Sequence, residues 1–195
     1  MRNKGPGRPT IRRNGIALTA AERAKRYRHN KRKRTPKNCE WYSPPWFIEL
    51  VRKVMTIDLD PASNEIANEI VKAQKFYAID DDGLKQKWHG NIFLNPPYSR
   101  GVINKFVNKL LDEVLAGNVK QAILLTHSKT DTRWFVKAAK HATAACFPKR
   151  IAFWSSSIKK GADWARNPST TFYFGNRPER FREVFKECGI LFNAP

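Results

Sequence analysis

Cysteine is nearly missing: Cys39, Cys146 and Cys188 are the only three in 195 residues, and no Cys-x-x-Cys pair occurs. An odd, scattered set argues against a disulfide framework and a thiolate zinc site, and implies a reducing compartment. No second acidic or histidine cluster supports another kind of metal site, so no metal is expected. Long apolar runs are missing as well. None approaches the roughly 20 residues of a membrane span, and the N-terminus has no apolar secretory core, so the expected location is cytoplasmic. Acids are almost absent from the first 37 residues, where Glu22 stands alone against 14 Lys and Arg.

That last deficit makes the charge lopsided. Residues 1–37 carry +13, and the other 158 residues carry +7 (23 basic, 16 acidic), which together make the total of +20. Such asymmetry implies a polyanionic partner, because each Lys or Arg that meets a phosphate releases condensed counterions. DNA is the expected partner, with RNA left open. A solubilising tail or a ribosomal-type extension is the bland alternative, and a membrane surface is disfavoured because the basic stretch lacks an apolar face with Trp or Phe. The side chains expected to meet phosphates are Arg8, Arg12, Arg13, Arg23, Lys25, Arg26, Arg28, Lys31, Arg32, Lys33 and Arg34. Within this arm Gly5-Pro6-Gly7-Arg8-Pro9 resembles the Gly-Arg-Pro core of an AT-hook, which threads Arg into the narrow minor groove of A·T tracts, although Pro6 stands where that motif has Arg. Thr19-Ala20-Ala21-Glu22 is a capping-box pattern that predicts a helix through about Arg34. Like-charge repulsion along it implies a partly disordered arm until phosphates neutralise it.

At Thr35-Pro36-Lys37-Asn38 the charge run stops and aromatic residues begin, which sets a boundary near residue 37 and a folded domain over 38–195. Apolar spacing predicts helices over 44–54, 64–72, 102–115 and 133–140, and a last one through Phe181, Val184 and Phe185. Gly117 stands where a glycine ends a helix. Short apolar runs predict strands over 57–60, 76–79, 92–94, 122–126, 144–147, 151–154 and 171–174. Alternation of this kind predicts an α/β fold, a parallel-rich sheet with helices on both faces. Ligands in such sheets bind beyond the carboxyl ends of the strands.

Asn95-Pro96-Pro97-Tyr98 directly follows the apolar run Ile92-Phe93-Leu94, so it stands at such an end. Two prolines fix φ and remove two backbone donors, which leaves a stiff turn suited to holding acceptors against a flat aromatic amine. By average residue frequencies, a chance match to this tetrapeptide in a chain of this length is on the order of one in a thousand. In Ile57-Asp58-Leu59-Asp60, period-two alternation puts Asp58 and Asp60 on one face of a strand, where a covered sheet makes unpartnered carboxylates costly. A ligand's donors explain them better than packing does, although Asp60-Pro61 also reads as a helix N-cap with proline following. Asp80-Asp81-Asp82-Gly83 follows the next strand, at an offset from Asp60 at which acids meet ribose hydroxyls in nucleotide-binding sheets, and it also reads as an ordinary Asp-rich turn. Ser43 reads as a cap for the helix starting at Pro44. Solvated or structural roles are expected for His89 and His127, and Arg150, Trp154 and Trp164 divide between lining a DNA face and packing.

Asn95-Pro96-Pro97-Tyr98 after an apolar strand resembles the catalytic motif of the amino-methyltransferases acting on adenine N6. With Trp41-Tyr42-Ser43-Pro44, Ile57-Asp58-Leu59-Asp60-Pro61-Ala62-Ser63, Asp81-Asp82-Gly83-Leu84 and Trp88-His89-Gly90, the chain resembles the compact phage and prophage Dam-like DNA N6-adenine methyltransferases over about residues 39–192. That resemblance implies a Rossmann-like class I methyltransferase sheet and S-adenosylmethionine as cofactor. It implies that Asn95, Pro96, Pro97 and Tyr98 carry the chemistry: the Asn95 oxygen and the Pro96 carbonyl accept the two amine hydrogens, and Tyr98 stacks on a base flipped from the duplex. It also implies a cofactor pocket from Trp41, Tyr42, Ser43, Pro44, Asp58, Asp60, Pro61, Ala62, Ser63, Asp81 and Asp82. The Gly-x-Gly turn of the wider superfamily is missing. Methylation of RNA adenine, cytosine N4 or protein glutamine, and a non-catalytic DNA-binding role on a degenerate core, remain the alternatives. The compact size leaves no room for a large recognition domain and predicts a short or degenerate target. A monomer is the simpler expectation.

Overall fold

The computed structural model describes residues 12–13, 16–17, 19, 41–99, 101–154 and 167–193. The chain divides into two compact units, Met1–Cys39 and Glu40–Pro195. In the first, β1 (Arg12–Arg13) pairs antiparallel with β2 (Ile16–Ala17), Arg12 opposite Ala17 and Arg13 opposite Ile16. Two of the expected phosphate-binding residues thus lie on a short ribbon. Arg8, Arg23, Lys25, Arg26, Arg28, Lys31, Arg32, Lys33 and Arg34 lie outside the described residues, as do the hook-like segment and the helix expected after Thr19.

The second unit is built on a seven-stranded sheet in the order β4-β3-β5-β6-β8-β7-β9, with β3 at Leu59–Asp60, β4 at Lys75–Phe76, β5 at Gly90–Leu94, β6 at Val119–His127, β7 at Ala144–Pro148, β8 at Ser169–Phe174 and β9 at Gly189–Asn193. Strands β3 to β6 are parallel; β8 runs against β6 and β7, and β9 runs against β7. Five strands therefore point one way and two the other, β8 slotted among them and β9 at the edge: the sheet is mixed and Rossmann-like. The chain leaves β3 for β4 on one side and returns to β5 on the other, so the strand order reverses between β3 and β5. A crevice opens at the carboxyl ends of strands where the order reverses in this way.

Period-two alternation fills both faces. Ile92, Leu94, Ala122, Leu124, Phe172 and Phe174 pack into one apolar layer; Phe93, Ile123, Leu125 and Tyr173 pack into the other. The first layer is covered by α3 (Val102–Leu115) and α4 (Arg133–His141), the second by α1 (Pro45–Val54) and α5 (Pro178–Phe185), with α2 (Glu65–Val71) beside α1. On α3 the buried residues Ile103, Phe106, Val107, Leu110 and Leu111 recur at three and four, while Leu115 is 66% exposed and leaves the expected stripe. Gly117 adopts φ 75°, and the N–H groups of Gly117 and Asn118 bond the carbonyls of Val114 and Glu113, which closes the helix as a Schellman turn.

Several expectations fail for tertiary reasons. The run 151–154 is not a strand: Ile151 and Phe153 are buried core plugs, and its ladder is a single bridge between Trp154 and Tyr42. The strand expected over 76–79 ends at Phe76 and gives way to a 3₁₀ turn at Ile79–Asp81. β9 was not anticipated, because its outer residues Ile190 and Phe192 are 67% and 49% exposed and break the expected alternation. No helix among the described residues is long and apolar enough to cross a membrane.

Candidate active site

Asn95 begins the turn that leaves β5, and its side-chain amide is held on both ends. Its Nδ2 donates to the Trp41 carbonyl and to Ser43 Oγ, each at 3.3 Å. Its Oδ1 accepts from the Tyr98 hydroxyl at 2.7 Å. Two acceptors on one side and a donor on the other leave a single amide orientation that satisfies all three partners. Pro96 is buried and Pro97 exposed, so the turn is anchored at its first proline. The Tyr98 hydroxyl also lies 3.3 Å from the Leu125 carbonyl on β6, and burial raises its pKa well above the usual phenol value. The oxygen of Asn95 thus faces a neutral phenol and keeps a second lone pair for another donor.

The segment before α1 supplies this clamp in a way the capping reading misses. Pro44, not Ser43, is the N-cap of α1, with Pro45 following and no side-chain cap. The Ser43 hydroxyl, 5% exposed, turns to Asn95 instead. Tyr42 is core: its backbone bridges Trp154, its ring lies 4.7 Å from the Trp154 ring, and its hydroxyl accepts from Asn64 Nδ2 at 3.3 Å.

The two carboxylates expected to share a strand face part company. β3 is only Leu59–Asp60. Asp58 lies before it and accepts from Asn91 N–H at 2.8 Å and from the Thr56 hydroxyl at 3.2 Å, so it ties β3 to the start of β5, away from Asn95. A side-chain carbon on Gly90 would overlap that carboxylate, so Gly90 makes room for it. Asp60 ends β3 at 3% exposure, with Ala62 N–H donating to its Oδ1 at 3.2 Å. Burial raises its pKa from 3.8 to about 7 against the pull of that N–H. The Ser63 hydroxyl is near enough to oppose the shift, yet it is buried and completes no hydrogen bond with any described residue. The helix cap suggested for Asp60-Pro61 falls to Asn64, whose Oδ1 accepts from Ala67 N–H at 2.8 Å.

Asp81 and Asp82 shape the turn after β4. Asp81 accepts from Ala78 N–H at 2.7 Å, and Asp82, at φ 49°, pairs with Lys85 at 3.0 Å in water, a contact worth little. The next residue, Gly83, brings this turn against β3: any side-chain carbon there would overlap the Pro61 carbonyl oxygen. Trp88, fully buried, donates its indole N–H to the Gly83 carbonyl at 2.8 Å and locks the approach. Gly83→Ala is therefore expected to cost about 1–3 kcal/mol by overpacking and to displace Asp60 to Ser63. Urea denaturation and calorimetry with S-adenosylhomocysteine read the two effects; a variant as stable as the parent contradicts the tight approach.

The sheet thus gathers Trp41, Ser43, Asn95, Pro96 and Tyr98 beyond β5, with Asp60, Pro61, Ala62 and Ser63 beyond the adjacent β3. The family model of the DNA N-6-adenine-methyltransferases (Dam) matches residues 30–185, which takes in every one of these residues. The chain belongs to the Dam family of DNA N-6-adenine-methyltransferases. None of the curated proteins and none of the solved structures compared with it matches. Among the described residues of this Dam-family chain, no group of three or more His, Cys, Asp and Glu side chains could hold a metal ion.

Two further residues of this Dam-family chain stand at or beyond the ends of neighbouring strands. Ile79, an apolar side chain 90% exposed in the 3₁₀ turn after β4, is one the sequence did not single out. His127 ends β6 with its ring stacked on Tyr98, centroids 3.8 Å apart. Their places at the ends of apolar runs were the available signal. Of the other candidates, His89 and Arg150 are exposed, Trp154 is half-buried against Tyr42, and Trp164 lies outside the described residues.

Proposed function

We propose that this chain transfers the methyl group of S-adenosylmethionine to N6 of adenine in DNA, with short or relaxed sequence recognition. The observation that carries the reading is the clamped Asn95 amide, whose oxygen faces the turn beyond β5 with one lone pair to spare. Adenine's amine is a weak nucleophile because its lone pair is delocalised into the ring. Accepting its hydrogens at Asn95 Oδ1 and at the Pro96 carbonyl localises that pair and aims it. The cofactor supplies an electrophilic methyl on a sulfonium, so positioning and fixed dipoles carry the catalysis and no strong base is needed.

The residues beside the crevice suit that cofactor. Asp60 is a buried carboxyl facing no cation among the described residues, and the buried Ser63 Oγ beside it completes no hydrogen bond with them. Asp60 would hold an ammonium or hydroxyl, Ser63 would complete a polar contact, and exposed Ile79 would cover a flat ring. Asp81 and Asp82 hold their turn in shape and would reach ribose hydroxyls only by exchanging present contacts. Asp58 is committed to β5 and is not counted among these groups.

Labelled cofactor incubated with mixed DNA and RNA, followed by nucleoside mass spectrometry, tests the reading. N6-methyladenine released from DNA is the expected product; N4-methylcytosine, or label confined to RNA, contradicts it. Mapping that returned a stringent six-base site would contradict relaxed recognition alone. The basic arm supplies affinity in this scheme. Deleting residues 1–37 is expected to weaken duplex binding on the order of tenfold or more in low salt and to flatten its salt dependence. Filter binding across a salt series measures both, and equal binding by the truncated protein would defeat the division of labour.

A further inference from the structure

One flat side of Tyr98 is already occupied. The His127 imidazole lies on it with centroids 3.8 Å apart and planes 8° from parallel, which is the geometry of a stacked base. Tyr98 is not free to turn away: its hydroxyl is bonded to Asn95 and lies against the Leu125 carbonyl, and its ring packs against the apolar layer that holds Leu94 and Phe106. His127 is held differently. Its backbone is pinned, paired with Ser169 across β6 and β8 and accepting from Lys129 N–H at 2.8 Å. Its imidazole makes no hydrogen bond to any described residue, and a change of rotamer removes its stack on Tyr98. Burial and the nearby Lys129 ammonium hold its pKa below the usual histidine value, so it stacks as a neutral ring at neutral pH.

We propose that His127 occupies the target-base seat of the free protein, stacked on the face of Tyr98 that the flipped adenine takes, and swings aside as that base arrives. The inference deepens the proposed function and rests on it. Because His127 and the base compete for one face, His127 sets a threshold that an incoming ring must exceed. A purine offers more stacking area than an imidazole and displaces it; a pyrimidine offers less advantage. The seat therefore filters for purines before any hydrogen bond reads the amine.

Single-stranded oligonucleotides carrying 2-aminopurine or pyrrolocytosine report stacking by fluorescence quenching, independently of turnover. His127→Ala is expected to lower the half-saturation for 2-aminopurine quenching by about fivefold, the scale of one aromatic stack. It should lower KM for DNA in parallel with little change in kcat, and improve pyrrolocytosine binding more than 2-aminopurine binding. His127→Phe, a larger permanent occupant, is expected to raise both half-saturations. Thermal melts establish that each variant folds, and His127→Asn gives a second loss of the stack should alanine fail. Weaker quenching or a higher KM in His127→Ala would mean that the imidazole supports the bound base, and the proposal falls; so does quenching unchanged across the series. If the parent protein methylates no DNA, the proposed function fails by itself, while the quenching series still decides who occupies the seat.

Discussion

Asn95→Ala is expected to lower kcat by on the order of 10²–10³ or more, the scale at which one fixed group facing a developing charge contributes. The side chain's oxygen is the acceptor that localises the amine lone pair, and alanine has no replacement for it. Its nitrogen also holds the Trp41 carbonyl and the Ser43 hydroxyl, so the turn loses its orienting partners at once. Tyr98 keeps the Leu125 carbonyl as an acceptor, which preserves the ring's place and with it base stacking. The fall should therefore appear equally in kcat and kcat/KM, as for an interaction made mainly in the transition state. Single-turnover methylation with saturating DNA and cofactor, beside calorimetry with S-adenosylhomocysteine, separates the two. Turnover within tenfold of the parent, or a matching collapse of cofactor affinity, would contradict the role assigned to this residue.

Asp60→Asn is the other large effect, and it acts in opposite directions on stability and on binding. In the free protein the buried carboxyl titrates near 7, against 3.8 in an unstructured chain. Between those values the native state keeps a proton that the unfolded state has released, so stability falls as pH rises from about 4 to about 7 and then levels. A difference of that size is worth on the order of 4 kcal/mol. The asparagine variant carries no such charge and is expected to melt higher than the parent at pH 8, with the advantage vanishing near pH 4. Cofactor binding moves the other way. A ligand bringing an ammonium or hydroxyl donors prefers the ionised carboxylate, so affinity for the parent should rise with pH up to about 7 with release of one proton. The variant should lose at least about a hundredfold in affinity, as for a charged hydrogen-bond acceptor removed from a buried site. Melting curves at pH 4 and 8, and calorimetry in buffers of different ionisation enthalpy, check the pair of effects. A melting difference independent of pH would show that Asp60 does not titrate as stated.

Much of this architecture is written locally. The three-and-four spacing of Ile103 to Leu111, the alternation in Ile92-Phe93-Leu94 and Ala122 to Leu125, and Gly117 at a left-handed turn follow from which side chains must leave water. The Asn95 tetrapeptide was legible for the same reason, since it directly follows one of those strands. The run at 151–154 was misread because burial alone does not separate a strand from a plug. β9 escaped because an edge strand needs only one covered face. Asp58 and Asp60 look equivalent at spacing two and are not, because β3 ends the alternation after two residues.

By itself the sequence determined the α/β class, the basic N-terminal stretch, and a proline-stiffened turn at the end of a strand; the sheet it led one to expect was parallel-rich, and the sheet is mixed. All three depend on neighbours close in the chain, where periodicity, composition and proline stiffness act directly. Only the tertiary structure decided that Ser43 holds Asn95 across 52 positions rather than capping α1. It alone tied Asp58 to the start of β5, buried Asp60 at the end of β3, and put His127 on Tyr98. Those are pairings between segments brought together by the sheet order, and no local pattern carries the register that joins them.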